Sequence, residues 1–345
     1  MIELGFEPQP DFGRFLKVLR REGEPDRVPF VELGADTEVM EAVLGEPVHS
    51  VEQQVRFWHI LGFDYASIRA VVPWSRIRAA ARDTAPLPHS RREWVNAQSA
   101  AFTDRQGFEK FPWPKPQDVD YSDLEQAIRV APEGMGIVGR TSGVLENTLF
   151  TLSLQGFSYM LADDPDLARD TVDTVGALLL NVVETMASMD GVGAIFFGED
   201  MGFKTATMVS PTTLRELIFP WHRRIVQAAH QAGKPIILHS CGNLKAIMDE
   251  VIEIGWDAKH SFEDVIEPIT EAKARYGDRI AVLGGIDMDL LGRGSEEAVR
   301  ARVREVVATC APGGGFALGS GNTVANYIRL ENYLAMLDEG RRCWP

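Results

Sequence analysis

The chain has 345 residues, 45% of them hydrophobic and 25% charged, which is enough apolar material to bury one large core. Its formal charge of −15 and pI near 5.0 argue against a nucleic-acid or anionic-membrane surface, because those partners reward clustered lysine and arginine. Residues Met1 to Glu7 lack a basic region followed by an apolar stretch, no run approaches the roughly 18 apolar residues of a membrane span, and Cys241, Cys310 and Cys343 are too scattered for a disulfide framework; a cytoplasmic protein is expected.

In chain order, eight short apolar runs rich in β-favouring residues recur: Val28 to Leu33, Tyr65 to Ala70, Gly136 to Arg140, Ala194 to Gly198, Pro235 to His239, Asp257 to Ser261, Ile280 to Ile286 and Phe316 to Gly319. Helical patterns separate most of them. One runs from Asp166 to Ser188 after Pro165, a second opens at Ser210-Pro211 and reaches about Gln231, and a third begins near Gly242 and continues to Ile254. Eight strands alternating with helices predict a (β/α)8 TIM barrel in a single domain, 1–345. Residues 71 to 133, with Trp74, Pro86, Pro88, Pro112, Trp113, Pro114 and Pro116, read as an insertion after the second strand. Gly284-Gly285 and Gly313-Gly314-Gly315 match neither a Walker A nor a dinucleotide fingerprint and are read as tight turns.

In such a barrel, chemistry sits at the C-terminal ends of the strands. Those ends carry Glu32 with Asp36, Arg69, Arg140-Thr141-Ser142, Glu199-Asp200, His239 with Cys241, His260 with Glu263-Asp264, Asp287, and Ser320 with Asn322. His239 and Cys241 are the most informative pair. Residues i and i+2 of a strand point the same way, and an imidazole with a thiolate suits a borderline-soft ion such as zinc. Taken singly, Glu32 or Asp287 also reads as a helix cap and Arg69 as half of an ion pair.

The segments Gly198-Glu199-Asp200-Met201-Gly202, Ser210-Pro211, His239-Ser240-Cys241-Gly242-Asn243, Gly284-Gly285-Ile286-Asp287 and Gly319-Ser320-Gly321-Asn322, followed by Glu331-Asn332 and Ala335-Met336, resemble the uroporphyrinogen decarboxylase superfamily. The His-x-Cys-Gly-Asn segment is similar to its cobalamin-dependent, methylcobalamin:coenzyme M type methyltransferase branch. True decarboxylases carry an Arg-Gln-Ala-Gly-Arg segment after strand one, where this chain reads Glu32-Leu33-Gly34-Ala35-Asp36 without an arginine. A substrate with many carboxylates would meet negative charge there. In the methyltransferase branch zinc is held by the His, the Cys two residues on and a second Cys after strand eight, and here that last position is Ser320. The resemblance therefore implies a metal site on His239 and Cys241 completed by Glu199, Asp200 or His260.

The resemblance also implies methyl transfer with a corrinoid or a methylated small molecule. The corrinoid would be carried by a partner protein, because the chain has no Asp-x-His-x-x-Gly cobalamin motif. Asp200 and Asp287 are the candidate catalytic residues. Glu32, Arg69, Arg140, Lys204, Ser320 and Asn322 are the candidate substrate-binding residues, with Arg140 and Lys204 facing an anionic group. Two other readings stand beside this one: a metal-independent decarboxylase or lyase of a small carboxylated substrate using Asp200 or Asp287 as proton donor, and a non-catalytic barrel that presents its mouth to a ligand or partner. A homodimer is expected from the superfamily.

Overall fold

The structure, a computed structural model, describes residues 6–75, 78–80, 93–95 and 100–343. Its strands are β1 (Tyr65–Arg69), β2 (Arg78–Ala80), β3 (Glu93–Val95), β4 (Gly136–Ser142), β5 (Val192–Gly198), β6 (Ile236–His239), β7 (Ala258–His260), β8 (Ala281–Ile286) and β9 (Phe316–Ser320). Seven of them form one parallel sheet in the order β1-β4-β5-β6-β7-β8-β9. Helices Ser122–Val130, Val144–Asp163, Pro165–Ser188, Phe219–Gln231, Met248–Ile254, Ile269–Tyr276, Glu296–Cys310 and Leu330–Arg342 follow or separate the strands. A sheet covered on both faces needs apolar side chains at successive positions, and β6, β8 and β9 are buried at every residue.

The expected first strand does not join the ladder as a full strand. Phe30 makes a single parallel bridge to Leu318 of β9, with Val31 N donating to Leu318 O at 2.8 Å and Leu318 N to Pro29 O at 3.0 Å. On its other side, side chains replace the ladder. The Tyr65 hydroxyl accepts from Glu32 N and donates to Glu32 O, both at 2.9 Å, and the Ser67 hydroxyl donates to Leu33 O at 2.7 Å. Tyr65 and Ser67 face the same side of β1 because they are two residues apart. The result is a TIM-barrel-like wall of seven laddered strands and an eighth segment stitched in by one bridge and two hydroxyls.

This closure depends on Gly319, where an added Cβ would sit 1.8 Å from Val31 O. Neither partner can rotate away, since the obstacle is main chain. Gly319→Ala is therefore expected to destabilise the fold by about 3 kcal/mol or more in a urea melt, through loss of the contact between residues 28–33 and β9.

The insertion is shorter than the sequence suggests, because Ser122–Val130 is the regular crossover helix between β1 and β4. Pro86 and Pro88 lie outside the described residues. Phe102, Phe108, Phe111 and Trp113 form a cluster of tilted and edge-on ring contacts, and Ala101 N donates to Thr151 O at 2.8 Å beside the break at Ser153 in helix Val144–Asp163. The helix expected from Gly242 starts only at Met248. Gly242 has φ +78°, and the amides of Gly242 and Asn243 bond to the Glu263 carboxylate and Phe203 O instead of entering a helix. Gly313, Gly314 and Gly315 make the expected tight turn before β9, all with positive φ, whereas Gly284 and Gly285, also read as a turn, lie inside β8 and pair with Leu318 and Gly319 of β9 despite their positive φ.

At the N-terminal end of the wall, the wholly buried Asp64 accepts from Arg14 Nη1 at 2.5 Å, Arg27 Nη2 at 3.0 Å and Asp11 N at 3.0 Å. Its Gly136-facing carbonyl ties β1 to the start of β4 at 3.0 Å. No helix among the described residues is long and apolar enough to cross a membrane.

Candidate active site

Three side chains of the types that can ligate a metal converge where β5 and β6 end. His239 is the last residue of β6, Cys241 lies two residues on, and Asp200 lies two residues past Gly198. The Cys241 sulfur is 3.5 Å and an Asp200 carboxylate oxygen 3.8 Å from His239 Nε2, and all three ligand atoms lie within 4.8 Å of one another. Zinc bonds of about 2.0–2.3 Å give a tetrahedron with N–S and N–O edges of roughly 3.4–3.6 Å. The spacing fits.

A hydrogen-bond chain fixes which nitrogen of His239 is free to bind. His260 Nε2 is 2.8 Å from Ser320 O, a carbonyl that only accepts, so this nitrogen carries the proton. Burial holds His260 well below the usual imidazole range, and burial followed by the charges of Lys259 and Arg140 brings His239 down to about 3, so both rings are neutral. The Nδ1 of a neutral His260 is then an acceptor, and at 2.8 Å it takes the proton of His239 Nδ1. His239 Nε2 is left with a lone pair aimed at Cys241 and Asp200, the tautomer a metal ligand needs.

Charge points the same way. Burial, then the acids Asp200 and Glu263, push the Cys241 thiol well up, and burial also raises Asp200 against the hydrogen bond it takes from Cys241 N at 3.1 Å. Negative charge is under-compensated here, and a divalent cation reverses that balance.

The two loops that carry these groups touch main chain to main chain. An added Cβ on Gly202 would meet Cys241 O at 2.5 Å, and one on Gly242 would meet the Gly202 carbonyl carbon at 2.3 Å, so both positions require glycine. Asn243 N donates to Phe203 O at 2.8 Å across the same contact.

A cavity of about 210 Å³ opens beside the cluster, lined by Arg69, Arg140, Asp200, His239 and Asn322 among others. Neither arginine has an acidic partner among the described residues, and Arg140 Nε is buried without a hydrogen bond. Burial, then repulsion from Arg69, lowers Arg140 to about 10, which leaves it charged at neutral pH. Gly34 makes room for it, since a Cβ there would lie 2.0 Å from Nη1. The cavity therefore presents cationic groups beside a nitrogen–sulfur–oxygen donor set.

Several candidate residues are placed elsewhere. Glu199, expected at the metal, is wholly buried and turned away: it accepts from Val144 N at 2.6 Å and Glu146 N at 2.9 Å at the start of helix Val144–Asp163, and from His222 Nε2 at 3.0 Å. A helix N-terminus attracts carboxylate, and that attraction takes this one. His260 lies outside the Asp200–His239–Cys241 cluster as well: its Nε2 is bonded to Ser320 O and its Nδ1 to His239 Nδ1. Asp287, expected as a proton donor, caps helix Met288–Arg293 through Asp289 N at 2.8 Å and accepts from Asp264 N at 3.2 Å. Lys204 is exposed on the loop after β5 and does not line the cavity. Glu32 and Ser320 are fully buried behind the cavity wall and bond to each other, so neither meets substrate. Asn322 does line the cavity, and its amide donates to the Cys241 sulfur at 3.1 Å.

One buried cation escaped sequence reading. The Lys259 ammonium lies under the Cys241 loop, bonded to Ser261 O and, at 3.4 Å, to Ser240 O, and 4.1 Å from the centre of the Phe262 ring. The signal available was a lysine in the middle of a strand segment, Asp257 to Ser261.

The family model for uroporphyrinogen decarboxylase (URO-D) matches residues 149–343. The chain is 26% identical over 211 residues to a methylated-thiol--coenzyme M methyltransferase of Methanosarcina mazei, covering 56% of this chain and 55% of that protein. It is 28% identical over 184 residues to a uroporphyrinogen decarboxylase of Thioalkalivibrio sulfidiphilus, covering 52% and 50%. It is 23% identical over 217 residues to a methylcobamide:CoM methyltransferase MtaA of Methanosarcina barkeri, covering 61% of each. The chain thus spans about half to three-fifths of the length of the curated relatives it matches. Among solved structures, a methyltransferase from Methanosarcina mazei superposes with a TM-score of 0.72 over 96% of this chain and 98% of the other at 17% identity, a likeness of fold. With more than half of its residues matched by that family model, the chain belongs to the uroporphyrinogen decarboxylase family.

Proposed function

We propose that the protein is a metal-assisted methyltransferase that moves a methyl group between a small anionic substrate and a corrinoid held by a separate protein. The observation that carries this reading is the Asp200–His239–Cys241 group with the free lone pair of His239 Nε2 turned into it. Zinc suits such a nitrogen, sulfur and oxygen donor set. Two of the relatives are methyltransferases by name, which supports the reaction class.

When bound there, a divalent ion supplies Lewis acidity that turns an acceptor thiol or alcohol into a nucleophile at neutral pH, or polarises the oxygen of a methyl ether. The rest is done by the chain. His260 holds the His239 tautomer, Asn322 and Lys259 steady the Cys241 loop, and Arg140 with Arg69 hold the anionic end of the substrate so that its reacting atom lies beside the cluster. Because the half-exposed Asp200 also faces the cavity, a substrate can reach the site from the barrel mouth.

Elemental analysis of protein purified without an affinity tag tests the metal directly. A stoichiometric divalent ion supports the reading, and protein that methylates a small anionic thiol from methylcobalamin while metal-free overturns it. Replacing Arg140 with methionine is expected to raise KM for the anionic substrate about 10- to 100-fold with kcat nearly unchanged, the scale of one lost charge-assisted hydrogen bond. Steady-state kinetics with charged and neutral substrate analogues check this, since the neutral analogue should not feel the change.

A further inference from the structure

We infer that Glu32 is a neutral carboxylic acid that, through Ser320, holds the Asn322 amide against the sulfur of Cys241, and so acts as a positioning residue for the metal site. This deepens the metal reading above and rests on it.

The proton count around Ser320 is the first observation. Its hydroxyl oxygen lies 2.5 Å from a Glu32 carboxyl oxygen and 2.7 Å from Asn322 O. A hydroxyl has one proton to give, and Asn322 O is a carbonyl that cannot donate. Both short contacts are satisfied together only if Ser320 donates to Asn322 O and Glu32 donates to Ser320. The other Glu32 oxygen accepts from Ser320 N at 2.9 Å, so the carboxyl group meets one donor and one acceptor, the pattern of an acid and not of a carboxylate. No cationic group among the described residues is bonded to it. Full burial, against the two Ser320 hydrogen bonds, moves Glu32 up to about 8, in agreement.

The second observation is where the turn leads. Asn322 Oδ1 accepts from Thr323 N at 2.7 Å, which fixes the amide orientation and leaves Nδ2 to donate to the Cys241 sulfur at 3.1 Å. A hydrogen bond to sulfur stabilises its thiolate form and orients its lone pairs, as groups behind metal ligands commonly do. Ser320 thus occupies the end of β9 not as a ligand but as the link between a buried acid on the barrel's first segment and an amide at the metal. Ser320 O also receives the His260 proton that sets the His239 tautomer, so this one turn supports two of the three ligands.

The test uses the full chain and cobalt(II), whose sulfur-to-metal absorption reports on the Cys241 bond. Asn322→Ala is expected to weaken cobalt binding about 10- to 100-fold and to shift that absorption band. Glu32→Gln, whose amide reproduces one donor and one acceptor, should bind as wild type does, and Glu32→Leu should bind about as poorly as Asn322→Ala. Should Glu32→Leu fail to fold, Ser320→Ala, which removes a single hydroxyl, reads the same link. In metal-free protein at neutral pH, the infrared spectrum should contain a carboxylic-acid carbonyl band that Glu32→Gln removes. Absence of that band, or cobalt affinity unchanged in both Asn322→Ala and Ser320→Ala, overturns the inference while leaving the metal reading intact. Wild-type protein that takes up no cobalt overturns the metal reading and with it the purpose assigned to Glu32.

Discussion

Replacing Cys241 with alanine is expected, for the metal-assisted methyltransferase proposed above, to abolish stoichiometric binding of a divalent ion and to lower methyl transfer by roughly 10²- to 10³-fold, the scale of losing a group that stabilises developing charge. The fold should survive. His239 is held by His260 and not by the thiol, and the Asp200 carboxylate bonds to the main-chain amide at 241, which the substitution retains. Only one nitrogen and one oxygen donor would remain, and the Asp200 side chain is partly open to solvent. Metal content by elemental analysis and far-UV circular dichroism, measured on the same preparation, separate loss of the ion from loss of structure. Full activity in Cys241→Ala would favour metal-independent acid–base chemistry with Asp200 as the proton donor; Asp287 is committed to its helix cap.

The second large effect is on stability. Asp64→Ala is expected to cost about 3–5 kcal/mol, because it leaves the buried guanidinium of Arg14 and the largely buried one of Arg27 without the charge that compensates them. The carboxylate is wholly buried, and its surroundings are dry enough that burial raises its pKa in spite of Arg27 and Arg14. Arg14 retains Asp26, at 2.6 and 2.9 Å, so part of the cluster would persist. Urea denaturation gives the stability loss. Metal content should not change, since Asp64 precedes β1 and the proposed ligands Asp200, His239 and Cys241 lie at the opposite ends of β5 and β6.

The clearest strands were legible because a stave buried on both faces is written as an unbroken apolar run, as in Ile236 to Leu238 or Ala281 to Leu283, whereas β7 (Ala258–His260) carries Lys259 and His260 and was legible mainly from its place between helices. Residues 28–33 carry the same signal, but whether such a run finds a ladder partner depends on neighbours far along the chain. The His239–Cys241 pairing was legible from the two-residue spacing at a strand end. Which of Glu199 and Asp200 joins it was not, because adjacent residues face opposite ways and the phase is set by β5 packing beside the start of helix Val144–Asp163. His260 was rightly placed near His239, with which it is in register, yet its role depends on the carbonyl of Ser320, sixty residues away in sequence. The turn at 242–247 was read as helix because its apolar spacing continues smoothly into Met248. Long-range capture of its amides by Glu263 and Phe203 overrides that local pattern.

Where the first segment meets β1, a phenol and a serine stand in for peptide groups, so the integrity of the cylinder there is encoded in side chains. Elsewhere in the wall, an exchange such as valine for isoleucine leaves every main-chain rung in place. At this junction the loss of one oxygen atom from Tyr65 would orphan both the amide and the carbonyl of Glu32, giving a mild-looking change the force of a backbone defect. Since that same residue sends its carboxyl group toward Ser320, shutting the cylinder and shaping its mouth are inherited together.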